Sequence, residues 1–152
     1  MLINMSLEKK IMNDIKDAML AKNSLRLDVC RAIKSAILIV KTQKNTQELT
    51  SSKELEILQK LLKQRKESEK IYKNQDRLDL ANDEKNQASI IAEYLPKPYR
   101  KDELMDLIDR LINKLGISSK QEMGKLIAEV IRESKGRADG KTISDCVKER
   151  LI

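Results

Sequence analysis

Residues 135–142 read KGRADGKT, and the fold class turns on what those eight residues are. Gly136, Gly140, Lys141 and Thr142 come close to the G-x-x-x-x-G-K-[ST] pattern of a phosphate-binding loop. Such a loop needs a strand before it and a helix after it, which would make the chain α/β. The spacing is wrong, however, because only Arg137, Ala138 and Asp139 separate the glycines. What precedes the loop also has helical periodicity, and Asp139 would set a carboxylate where the phosphates should sit. A turn between two helices accounts for the same residues. Gly136 supplies the left-handed residue that ends one helix. Asp139 caps the next through its carboxylate, and Gly140 allows a tight approach. The turn leaves Lys135, Arg137 and Lys141 crowded at one corner, with Lys125 and Arg132 on the helix before it. That cluster is either a solvated surface or a phosphate-contact patch.

Reading outward, helical spacing recurs along the chain. Ser6 can cap a helix over 7–21 with Ile11, Ile15, Ala18 and Met19 on one face. Asn23 or Ser24 starts a second helix to about residue 44, striped by Val29, Cys30, Ile33, Ala36, Ile37 and Val40. After the polar turn 45–52, Ser51 or Ser52 caps a third helix with Leu55, Leu58, Leu61 and Leu62. A fourth follows Asn74–Asp76 and carries Leu78, Ala81, Ala88, Ile91, Ala92 and Leu95. Both prolines fall in YLPKPYR (94–100), where helix must stop. Beyond them Leu104, Leu107, Ile108, Leu111, Ile112 and Leu115 form a full amphipathic stripe ended by Gly116. Ser119 with Glu122 suggests a capping box for a helix bearing Met123, Leu126, Ile127, Val130 and Ile131. A last helix after the turn holds Ile143, Cys146, Val147 and Leu151. The expectation is an all-α protein with a four-helix unit over 1–95 and a three-helix unit over 96–152. The second, about 55 residues, is small for a free-standing core.

Composition agrees. The chain of 152 residues is 40% hydrophobic, with three Tyr and neither Phe nor Trp, a supply that suits helices and starves a sheet. Lys and Arg number 31 against 24 Asp and Glu, a net charge of +7. The excess is spread evenly: residues 1–95 carry 18 bases and 14 acids, and 96–152 carry 13 and 10. This permits attraction to nucleic acid without requiring it. No run of apolar residues is long enough to span a membrane, and the start lacks the apolar core of a signal peptide. Met5-Ser6 reads as an alternative start, which would make residues 1–4 a disordered extension. Two cysteines far apart define neither a disulfide framework nor a metal site. A cytoplasmic protein with reduced thiols, no metal and no cofactor is the expectation.

The inventory speaks against catalysis by the chain alone. There is no histidine, the usual general base near neutral pH. Cys30 and Cys146 sit on apolar stripes, as structural thiols do. Asp106 with Asp109, and Glu129 with Glu133, fit neighbours on solvated helix faces rather than metal ligands. Ser118-Ser119-Lys120 is better explained as a helix start than as a nucleophile site. A second basic face lies in LKQRKESEKIYK (62–73): Lys63, Arg65, Lys66 and Lys70 with Tyr72. It could grip a phosphate backbone and stack a base, or be an ordinary solvated face with Tyr72 in the core.

The segment MGKLIAEVIRESKGRADGKTISDCVKERL (123–151) resembles the C-terminal motif of the GatB/YqeY family. Further stretches look like the stand-alone YqeY-like proteins: LEKKIMNDIKDAMLAKN near the start, LQKLLKQRKESEKIY (58–72), RLDLA (77–81) and YLPK (94–97). They run in order along nearly the whole chain. The resemblance implies an all-helical protein of two units. The second unit would be similar to the tail of the GatB component of the glutamyl/aspartyl-tRNA amidotransferase. There the tail grips tRNA, and a separate domain does the ATP- and ammonia-dependent chemistry. This chain has no counterpart of that domain. A label of carbon–nitrogen ligase with glutamine as amide donor would describe the amidotransferase better than this chain. The implied partner is tRNA, held by Lys125, Arg132, Lys135, Gly136, Arg137, Gly140 and Lys141. An accessory role alongside the amidotransferase, or an adaptor using the stripe of the first two helices, stays open.

Overall fold

A computed structural model describes residues 5–151 of the chain; the reading of residues 1–4 as an extension lies outside them. Among the described residues there are seven α-helices and no strand. Contacts divide the chain into two compact units, one ending at Leu95 and the other beginning at Pro96.

In the first unit α1 (Leu7–Leu20) begins where the Ser6 hydroxyl accepts the Lys9 amide at 3.2 Å. The helix packed against it, α2 (Ser24–Lys44), begins where Asn23 accepts the Arg26 amide at 3.1 Å. It ends at Asn45, which adopts φ +48°, a left-handed conformation that Asn tolerates better than most residues. Thr50, rather than Ser51 or Ser52, caps α3 (Ser51–Asn74) by accepting the Lys53 amide at 3.1 Å. The polar octet 63–70 does not interrupt α3, because Lys, Gln, Arg and Glu are good helix formers and one side packs on α4 (Leu78–Ala92). The core joins Leu7, Ile11, Val29, Cys30, Ile33, Ile37, Ile57, Leu58, Ile90 and Ile91.

Some stripe positions turn outward. Met19 is 55% exposed and Leu78 68%. Met19 lies one residue, about 100° of helix, beyond buried Ala18, and Leu78 is the first residue of α4. Ala92, the last, is exposed too. Ile57 and Ile90, buried one position from Leu58 and Ile91, widen the apolar faces beyond the expected stripes.

In the second unit α5 (Lys101–Leu115) starts where Glu103 accepts the Arg100 amide at 3.0 Å, and ends at Gly116 with φ +65°. Ser119 and Glu122 form no capping box. They enclose a single 3₁₀ turn, Lys120–Glu122, closed by the Glu122 amide on the Ser119 carbonyl at 3.2 Å. Then come α6 (Met123–Ser134) and α7 (Gly140–Leu151). Leu104, Ile108, Leu126, Val130, Ile143 and Val147 form the centre of this core. Ile131 is 48% exposed, again one step round the helix from a buried residue.

Both thiols are buried, as the stripes suggest. Cys30 belongs to a polar network inside the first unit. The Tyr94 hydroxyl donates to Asp14, and its oxygen stands 3.4 Å from Cys30 Sγ. The phenol has one proton and gives it to the carboxylate, so the thiol donates to the phenol. Burial pushes both the Tyr94 phenol and the Cys30 thiol up from their ordinary values of 10.0 and 9.0. The folded chain therefore keeps protons that the unfolded chain sheds in that range, and stability is lost as pH rises through it. Tyr94→Phe is expected to lower the stability of this unit by about 1–2 kcal/mol near neutral pH. It should also flatten the alkaline fall above about pH 9. Urea unfolding at a series of pH values measures both.

Candidate nucleic-acid interface

The turn between α6 and α7 is built as a helix-to-helix connection. Lys135 and Gly136 both take left-handed backbone, with φ +49° and +82°, the second at no steric cost because glycine lacks a Cβ. Asp139 accepts the Thr142 amide at 2.7 Å through Oδ1, and its carbonyl accepts the Ile143 amide at 3.1 Å. The carboxylate thus occupies the start of α7, where a phosphate-binding loop would hold its ligand. Gly140 has a different role from the one expected. It is the first residue of α7, and a Cβ there would meet nothing within 4 Å, so no tight approach within the protein requires a glycine.

Arg137 is the best-held cation of the cluster. Its Nε donates to the Lys97 carbonyl at 2.9 Å, and its carbonyl accepts the Tyr99 amide at 2.8 Å. The guanidinium carbon lies 3.9 Å from the centroid of the Tyr99 ring. One residue thus ties the turn to the Lys97–Tyr99 segment at three points. The ring contact and the Nε hydrogen bond together restrict the guanidinium. Its two Nη groups have no acceptor among the described residues.

The other candidates divide into two kinds. Lys125, Lys135 and Lys141 are not buried and have no carboxylate at ion-pair distance among the described residues. Arg132 is clamped between Glu129 and Glu133, the second at 3.0 Å. The Glu129 hydrogen bond raises the guanidinium pKa, and the arginine lowers that of Glu129. Arg132 is therefore already neutralised on its own helix. Tyr99 was not among the sequence candidates, because nothing in YLPKPYR signals which later residue will lie on its ring.

The second basic face does not hold together. Lys63, Lys66 and Lys70 are exposed, whereas Arg65 and Tyr72 are half-buried. Arg65 reaches across to Glu84 at 3.0 Å. Helical rotation explains the split, since residues 65 and 72 are two turns apart on the side facing α4, and the lysines lie away from it. Tyr72 cannot join them as a stacking platform. Asp109, read as a solvated neighbour of Asp106, pairs instead with Arg150. Among the described residues no cluster of three or more His, Cys, Asp or Glu could hold a metal ion, and no helix is long and apolar enough to cross a membrane.

Arg137→Ala removes a hydrogen bond and a stack, and is expected to cost the second unit about 1–2 kcal/mol. Arg132→Ala, which removes only exposed ion pairs to Glu129 and Glu133, should leave stability nearly unchanged. Denaturant unfolding of the two variants compares them directly.

No curated protein matches the chain. A profile described as Yqey-like protein matches residues 8–151, spanning both units, and the chain belongs to the Yqey-like protein family.

Proposed function

We propose that the chain is a helical RNA-binding module without an active site of its own, and that its 135–141 corner holds tRNA phosphates. The observation that carries this reading is the Arg137 guanidinium, held over the Tyr99 ring with both Nη groups unpartnered among the described residues. An arginine fixed in this way loses little conformational freedom when it meets a phosphate, and its planar fork suits two phosphate oxygens. Lys135 and Lys141, uncompensated on the same turn, would add point charges near it. Lys125 would extend the patch along α6, and Gly136 and Gly140 would keep side chains out of the way of the approaching backbone. Arg132 contributes least, because Glu129 and Glu133 already neutralise it. Recognition would be led by charge and shape, since Tyr99 is covered by Arg137 and is not free to stack a base. The resemblance of residues 123–151 to the tail of the tRNA amidotransferase supports tRNA as the RNA class and the cytoplasm as the location. It also supports an accessory role alongside that enzyme as a second reading, which co-elution with the purified amidotransferase would test.

Titration of full-length protein with tRNA at two salt concentrations, with duplex DNA as control, tests the proposal. Arg137, Lys135 and Lys141 as phosphate contacts predict a slope of log affinity against log salt of about −2 to −3. The double variant Lys135→Glu/Lys141→Glu should lose at least about tenfold in affinity at moderate salt. Arg132→Ala should bind as the parent does. An unchanged affinity in the double variant, or no preference for tRNA over DNA, would overturn the assignment.

A further inference from the structure

We infer that the groove beside α1 in the first unit docks a basic amphipathic helix of a partner protein. The groove encloses about 800 Å³ between the start of α1 and the 47–49 loop. Ile37 of α2 lies at its base, 2% exposed, and Met5, Met12 and Leu49 supply the rest of its apolar lining. Met5 and Met12 remain 36% and 46% exposed. Methionine is flexible and polarizable, and fits itself to the side chains of an incoming helix better than branched residues do. Met12 lies in the second turn of α1, and Met5 stands just before the Ser6 cap. Apolar side chains set along a groove in this way suit the apolar row of an amphipathic partner helix.

The charges select the partner. Glu8, Glu48 and Glu54 line the groove against the single cation Lys9. Lys41 neutralises Glu8 at 2.7 Å. Glu54, at the groove wall, accepts the Leu7 amide at 2.8 Å. Glu48 is exposed and without a cation among the described residues. In a chain of net charge +7 this is a locally acidic, apolar surface. Carboxylates at the rim repel RNA phosphates and anionic lipid headgroups, and they attract Lys or Arg flanking an apolar row. The groove is therefore chemically distinct from the 135–141 corner and does not depend on the RNA reading.

The test uses the full-length protein and two fluorescent helical peptides of one length, one built of leucine and lysine, the other of leucine and glutamate. Anisotropy at physiological salt should show the lysine peptide binding at least about tenfold tighter. Glu48→Lys and Met12→Gln, both at exposed positions, should each weaken it several-fold while circular dichroism stays unchanged. Lys135→Glu/Lys141→Glu should leave it unaffected. Equal binding of the two peptides, no binding, or full binding by both groove variants would overturn the proposal. Binding to anionic vesicles that Met12→Gln abolishes would replace the helix with a membrane surface. Self-association lost in the same variants would replace it with a second copy of the chain.

Discussion

The grip of Arg137 on the Lys97–Tyr99 segment organises the second unit. The arginine comes from the turn after α6, and its partners come from the stretch around the second proline, ahead of α5. Joining them ties the entry of a three-helix core to its last turn. A unit of this size buries only a modest apolar area, so polar contacts at its ends carry more weight than they would in a larger domain. The same arrangement leaves the guanidinium held at two points and its Nη groups without a partner among the described residues. In the proposed function, the structural latch and the anion contact are one group, and the stacking that stabilises the turn would also prepare the cation.

Much of this was legible in the sequence, for identifiable reasons. Helix classes and the loss of helix at Pro96 and Pro98 follow from periodicity and from the missing amide of proline, and Asp139 and Ser6 cap as their positions suggest. Apolar faces were less legible at their edges. Met19, Leu78 and Ile131 satisfy a helical pattern but lie a residue round from the packed side or at a free helix end, and one sequence carries no information about which neighbouring helix covers them. The Ser119–Glu122 pair had the right spacing for a capping box, yet the chain forms a 3₁₀ turn there. Local signals compete, and tertiary packing chooses among them.

The candidate site shows the same limit more sharply. Residue type located the basic corner, but type alone could not rank its members. Arg132 and Arg137 are both arginines within six residues of each other. One is cancelled by Glu129 and Glu133 on its own helix, and the other is stacked on a tyrosine nearly forty residues away. The first could have been suspected from i,i+3 spacing; the second depends on a long-range contact. Tyr72 likewise fell on the α4-facing side of α3 rather than beside the lysines. The two surfaces that emerge carry opposite chemistry, an uncompensated basic turn in one unit and an acid-rimmed methionine groove in the other.

The most direct test of the RNA reading is to locate tRNA contacts on the isotopically labelled full-length protein by nuclear magnetic resonance. The account predicts that amide signals of residues 135–141 and of Tyr99, together with the Arg137 side-chain Nε–H, shift on adding tRNA and recover as salt is raised. Shifts confined to the α3 lysines or to the first unit, with the Arg137 signal unmoved, would contradict it.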